Sequence, residues 1–313
     1  GASGIYLSIV KEIDTLFPAK NFSLILGIAI FFGYSGGLFG TLPFERLVSR
    51  FGWRNSLVLI GVVSCLVLGV CFFVLQRFKT PEGGSTPISF HPYRSVLENR
   101  YSYPILISGS INFALYFVIQ TTLGKKFLQD VAGVSSKNAA MITFVMMFCS
   151  MLLSLIAGMI PKLFDNRRKV FVQLSTGITF VASVLSLVSL ITGAGEWAFL
   201  VLFAVFAVSS GFGPLFTCLI REVNSPRNVG VSVSLHNCNC YLQVAIFSSA
   251  AGAVLEGFRS SAIITEHAII YPEKAYVIIF CGIVALSVIS LVSSFFIQET
   301  RGRFILAPSS SMN

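Results

Sequence analysis

The sequence predicts an all-α membrane protein, a bundle of eight full transmembrane helices with one partial helix ahead of them. Three observations carry this. Of 313 residues, 55% are hydrophobic and only 11% charged, where a soluble domain carries about a quarter charged residues. The apolar residues gather into runs of about 20 or more, the length a helix needs to cross the hydrocarbon core. The runs are continuously apolar and do not alternate. This excludes the strands of a closed barrel, the other fold that satisfies its own backbone in lipid.

Residues 1–10, GASGIYLSIV, read as the end of a helix that begins upstream of the sequence given. The full runs follow at 21–43, 53–76, 103–124, 139–161, 170–192, 197–220, 229–256 and 275–297. The first contains GYSGGLFG, and the second opens at Gly52-Trp53-Arg54. The longest polar gap, Arg77 to Ser102, contains Pro81, Pro87, Pro92 and the Gly83-Gly84 pair, and reads as a linker. The chain therefore divides into 1–76 (partial helix and two spans), the linker 77–102, a six-helix unit 103–298 and a tail 299–313.

The net charge of +9 sits in short gaps between apolar runs, with no basic arm or basic helix. The expected partner is thus the membrane surface and no nucleic acid. One alternate set of gaps holds 14 Lys and Arg and the other 8. The richer set is expected on the cytoplasmic side, with the linker and C-terminus inside a plasma or inner membrane. The seven cysteines lie in apolar runs with no CxxC pair. They read as small buried hydrophobes, and no metal or cofactor is expected.

Polar groups are costly in lipid, so those inside the runs face a cavity or a partner. Ser108, Asn112, Tyr116 and Gln120 are spaced by four and form one slowly drifting stripe. They read either as contacts to a polar solute or as hydrogen bonds between packed helices. His236, Asn239 or Cys240, and Gln243 share a face of a later run. His236 either carries protons, given its unperturbed pKa of about 6.5, or is a neutral structural ring. His91 and His267 lie in gaps. No Asp or Glu lies deep in a full run; Glu45, Glu256 and Glu299 sit at the ends. A coupling proton or ion is left open, as is uncoupled movement.

Several motifs resemble the major facilitator superfamily of transporters. A long linker, six spans and an inner C-terminus are similar to the second half of such a protein. Ser35 to Arg54, SGGLFGTLPFERLVSRFGWR, resembles the family's fifth helix and its short outer loop into the sixth. Gly36, Gly37 and Gly40 fall in register with its glycine motif, although Gly37 stands at the proline and Thr41 at the last glycine. Gly52-Trp53-Arg54 matches the G-W-R that opens the next helix. Pro161 to Lys169, PKLFDNRRK, resembles the family's inner loop G-x-x-x-D-x-x-G-R-R/K, with Asp165 and Lys169 in place and Pro161 and Arg168 where glycines are usual. Gln298 to Arg303 resembles the tail of sugar porters. The sugar-porter motif is missing from Gln76-Arg77-Phe78-Lys79, so that substrate is not carried over.

The resemblance implies the fourth to twelfth helices of such a transporter, with three more expected upstream. It implies two halves with a site between them at mid-membrane, and places 103–124 as the seventh helix, which lines the cavity. The expected function is movement of a small polar solute by alternating access, by a monomer. An aspartate beside a helix end and a cluster of cations reads as a cytoplasmic charge latch of Asp165, Arg167, Arg168, Lys169, Arg221, Glu222 and Arg227. The alternative is a solvated basic loop.

A receptor or scaffold on the same fold is a second reading. A third is an intramembrane serine hydrolase, because Gly33-Tyr34-Ser35-Gly36-Gly37 fits G-x-S-x-G and Gly1-Ala2-Ser3-Gly4 fits G-x-S-G. A nucleophile elbow needs a strand-to-helix turn, and the flanks of Ser35 are helical. Gly33, Gly36, Gly37, Gly40 and Pro43 are instead expected to form a packing and bending surface of one helix.

Overall fold

The computed structural model describes residues 2–18, 21–40, 42–76, 90–265 and 268–306. His267, the linker segment 77–89 and the tail beyond 306 lie outside the described residues. Eight helical segments are long and apolar enough to span: Phe22–Phe39, Arg46–Val74, Ser102–Asp130, Ser136–Leu163, Lys169–Ile191, Glu196–Glu222, Pro226–Gly257 and Glu273–Phe295. These are the expected eight. Helix α1 (Ala2–Leu16) precedes them.

The first full run divides differently from expectation. Helix α2 (Phe22–Phe39) ends at Gly40, and α3 (Leu42–Leu75) begins at once. Residues 44–51, expected as the loop between the first two runs, are helical, and the break falls at Gly52, whose φ of 76° suits a residue without a Cβ. Pro43 lies in the first turn of α3, where a missing N–H costs nothing. It is not part of the glycine-rich helix, and the expected hinge of Gly33 to Pro43 on one helix is corrected accordingly.

A short helix, α4 (His91–Glu98), stands in the expected linker. Helix α5 (Ser102–Val118) passes through a π turn at Ile119–Leu123 into α6 (Gly124–Asp130). Helix α7 (Ser136–Leu163) starts where the Ser135 hydroxyl accepts the Asn138 N–H at 3.2 Å, an N-cap. After α8 (Lys169–Ile191), one span is split into α9 (Glu196–Gly211) and α10 (Gly213–Glu222). Pro214 in the first turn of α10 cannot donate to the α9 ladder, so the helix breaks there. Helix α11 (Val229–Gly257), a two-residue hairpin pair (Ile263–Ile264 with Ile269–Ile270) and α12 (Glu273–Phe295) complete the chain.

Two cores hold the bundle. One, around Phe127, Phe199, Phe203, Tyr276 and Phe280, is built only from helices after the linker. The other joins Val10, Ile13, Phe22 and Leu26 of α1 and α2 to Leu215, Phe216, Leu219 and Ile297. The early helices therefore grip the later ones through the end that carries Lys162, Arg168, Arg221 and Arg303. This is called the cationic end below. Lipid as solvent leaves Leu59, Val63, Leu66 and Leu68 of α3 exposed.

Helices α2 and α7 pack closely. A Cβ on Gly27 would lie 2.7 Å from the Ser154 carbonyl oxygen, and one on Gly158 2.6 Å from that of Ser23. The Ser23 hydroxyl donates to the Gly158 carbonyl at 3.0 Å. Each helix thus contributes a small residue four before a glycine, Ser23 with Gly27 and Ser154 with Gly158, and the backbones can touch. The expected packing glycines behave otherwise. Gly33 and Gly36 face open space, a Cβ on Gly40 would meet only its own helix, and Gly37 alone abuts a neighbour, the flexible Met147 side chain. Glycine spacing marks several faces of α2, and only the partner helix selects one.

Replacing Gly158 with Val is expected to cost about 1–3 kcal/mol by overpacking, read as a lower Tm of the purified protein in detergent. Gly33→Ala, facing open space, is expected to leave Tm unchanged or slightly raised.

Candidate functional site

Hydroxyl groups from the early and late helices meet at two places. Tyr6 of α1 shares a 3.1 Å hydrogen bond with Thr217 of α10. Tyr34 of α2 shares one of 3.3 Å with Ser210 of α9. Tyr116 of α5 is 2% exposed, and its hydroxyl lies close to those of Ser150 and Ser210 without a well-formed hydrogen bond to either. Tyr34, Ser150 and Ser210 surround it. Gln120, half-buried in the π turn, reaches Met147 Sδ at 3.5 Å. A π turn adds one residue to a helical turn and re-aims the side chains it carries. Ser35 lies on the same helix as Tyr34, donating to the Phe32 carbonyl at 2.6 Å. That is mid-helix geometry, without the strand-to-helix turn of a nucleophile elbow.

Of the predicted stripe, Tyr116 and Gln120 reach this layer. Asn112 does not. Its amide donates to Ser175 at 3.1 Å and Ser209 at 3.2 Å, and its carbonyl accepts from Thr179 at 2.6 Å. All four residues are buried between α5, α8 and α9. Ser108 is buried too, with its hydroxyl unpartnered and its carbonyl accepting from Ser290 of α12 at 2.9 Å. The expectation of solute contact at Asn112 and Ser108 is corrected to helix packing. Four-residue steps rotate about 40° each, so three steps carry the stripe through about a third of a turn. Its two ends face different neighbours.

The second set behaves similarly. Asn239 donates to the Leu106 carbonyl at 3.0 Å and to Ser110 at 2.7 Å, tying α11 to α5. His236 lies against Phe216, with ring centroids 6.5 Å apart, beside Gly109. Its Nε2 is 3.8 Å from Cys240 Sγ, and its Nδ1 is buried without a partner. Gln243 is half-buried.

At the cationic end a charge network is present that keeps Arg168, Lys169, Arg221 and Glu222 of the expected members and adds Asp14 and Glu299. Arg168 (1% exposed) pairs with Glu222 (0% exposed), and Thr300 donates to the same carboxylate at 2.5 Å. Burial opposes the Arg168 charge, but Cys218, Glu222 and Glu299 hold its pKa above the ordinary arginine value. Arg221 pairs with Asp14 of α1 through Nε at 2.6 Å. Its guanidinium lies 4.3 Å from the Phe22 ring and 4.5 Å from the Phe304 ring. Lys162 donates to Asn21 at 3.0 Å. The Glu299 carboxylate accepts backbone N–H groups from Arg168 and Lys169, capping α8 from the far end of the chain.

Asp165, Arg167 and Arg227 are exposed, and no ion pair to them is found among the described residues. Asp165 adopts a φ of 52°, a loop conformation. The carboxylates of the network are therefore Asp14, Glu222 and Glu299. Asp14, Phe22, Thr300 and Phe304 were not legible as partners, because sequence separations of 80 to 200 residues leave no spacing signal.

A family model described as the Major Facilitator Superfamily matches residues 1–248. No curated protein matches the chain.

Removing one partner of a buried ion pair leaves the other charge uncompensated. Glu222→Gln is therefore expected to cost about 3–5 kcal/mol and to lower Tm strongly, whereas Arg227→Ala at the exposed loop is expected to change stability by less than about 0.5 kcal/mol. Thermal unfolding of the two variants side by side checks this.

Proposed function

The chain belongs to the Major Facilitator Superfamily, and we propose that this membrane transporter moves a small, polar, uncharged solute by alternating access. The observation that carries the reading is the layer where the two sets of helices meet. It offers hydroxyls from Tyr34 on one side and from Tyr116 and Ser210 on the other. A solute bound there would satisfy the unpartnered Tyr116 hydroxyl and replace the long Tyr34–Ser210 bond, so it would touch both halves at once. Gln120 adds an amide at the edge of the layer. These groups carry no charge, and an ionic solute entering a low-dielectric site needs an opposite charge to meet it.

In this proposal the cationic end is cytoplasmic, as the uneven Lys and Arg counts support. Asp14–Arg221 and Asn21–Lys162 close that end while solute enters from the other. Rocking of the halves then breaks the pairs and opens it. Asn112, Ser108 and Asn239 have a supporting role, holding α5 in place.

Cysteines at Asn21 and Lys162, cross-linked by an oxidant, are expected to abolish uptake into proteoliposomes by the full-length protein, with recovery on reduction. Unchanged uptake in fully cross-linked protein would refute closure at this end. Radiolabelled neutral polar solutes serve as the uptake panel.

Tyr34→Phe, Tyr116→Phe and Ser210→Ala are each expected to raise KM about 2- to 10-fold, the worth of one neutral hydrogen bond. Asn112→Ala is expected to lower Tm while leaving KM within about twofold of the parent. The opposite pattern, a large KM change at Asn112 and none at the three hydroxyls, would move the site to the Asn112 cluster.

A further inference from the structure

Helix α4 lies between the two sets of spans, just before α5 begins at Ser102. It is three-sided. At about 100° per residue, Pro92 and Val96 share one face, Phe90, Tyr93 and Leu97 a second, and Arg94 and Glu98 a third. The first face is turned to the protein: Val96 is 0% exposed, and the adjoining Asn99 donates to the Val223 carbonyl at 2.8 Å. The third carries an exposed ion pair of 2.6 Å, as suits water. The second has no protein over it among the described residues. Phe90 is 80%, Tyr93 41% and Leu97 45% exposed, and the Phe90 and Tyr93 rings lie 6.4 Å apart as one patch.

The patch continues onto the outer flank of α5. The Tyr103 hydroxyl donates to the Leu97 carbonyl, and Tyr103 and Ile107, one turn apart, are both exposed. That flank belongs to a membrane span, so its exposed apolar groups meet lipid. A water-facing helix would have no use for a contiguous apolar stripe, whereas a helix lying flat at the membrane surface needs one.

We propose that α4 is an interfacial helix that rests on the lipid surface. Phe90, Tyr93 and Leu97 enter the boundary between headgroups and acyl chains. Arg94 and Glu98 face water, and Arg100, exposed at the end of the helix, meets the phosphate layer. The aromatic groups suit this depth, since Tyr and Phe place an apolar body beside a wet layer. The helix then anchors the start of α5 at a fixed depth, which a linker in water would not do.

The test uses the full-length protein in phosphatidylcholine vesicles. Its tryptophans, Trp53 and Trp197 among them, are first replaced by Phe. Single variants Phe90→Trp, Tyr93→Trp, Leu97→Trp, Arg94→Trp and Glu98→Trp are then compared. At the first three positions the expected result is blue-shifted emission, loss of fluorescence with brominated phosphatidylcholine and little quenching by aqueous iodide. At the last two the expected pattern is the reverse. One folded variant from each face is enough for the comparison. Equal iodide quenching on both faces would overturn the proposal by placing the helix in water. Shielding of the stripe from both quenchers would overturn it by showing protein there instead.

Discussion

Arg221 is a guanidinium with almost no access to water, and it is compensated from several directions. Asp14 supplies the charge from α1, the rings of Phe22 and Phe304 sandwich the plane, and Glu222 lies 3.6 Å away. Each compensating group comes from a different part of the chain: an early helix, the next helix, the tail and the turn of Arg221 itself. A buried cation that lost them would cost several kcal/mol. The constraint therefore fixes more than one side chain. It holds α1 and α2 against α10, and it seats the tail, whose Ile305 N–H donates to the Glu222 carbonyl at 2.9 Å. The second hydrophobic core forms around the same junction.

Above this junction the rules change from charge to hydroxyl. In lipid the hydrophobic effect does not drive helices together, so contact comes from close backbone approach and hydrogen bonds. The Gly27–Gly158 crossing gives the first, and the Asn112, Asn239 and Ser290 bonds give the second. Those groups are satisfied within the later helices, which makes that unit stiff. The bonds that cross to α1 and α2 are fewer and involve single hydroxyls. That unit is joined to α1 and α2 by the close Gly27–Gly158 crossing, by single hydroxyl bonds and by one charged end. In the proposed cycle, parting of that end would let Arg221 and Asp14 recover hydration. That return of water offsets much of the lost pairing.

The fold class was legible because its cause is local. Lipid demands about 20 apolar residues per span, and that demand is written as unbroken apolar runs at the expected places. The break at Pro214 was not anticipated: 197–220 read as one run, which the structure splits into α9 and α10. The glycine-rich GYSGGLFG shows the limit. Its spacing announces small residues on a helix but not their neighbours, and the close crossing fell instead on Gly27, a less conspicuous glycine. The expected latch included Glu222, which the fold pairs with Arg168, but it also named Asp165, which stays exposed, and missed Glu299 and Asp14.

By itself, then, the sequence determined the solvent and the number of spans, and its motifs carried the resemblance to the family. The first two follow from composition and periodicity, which act over a few helical turns. Only the tertiary structure decided which polar groups face one another. It separated Asn112 from Tyr116 one turn away, paired Tyr34 with Ser210, and brought Asp14 and Phe304 to Arg221. The physical reason is that a polar side chain in lipid must find a partner, and the identity of that partner is set by how distant helices pack. No local spacing encodes it.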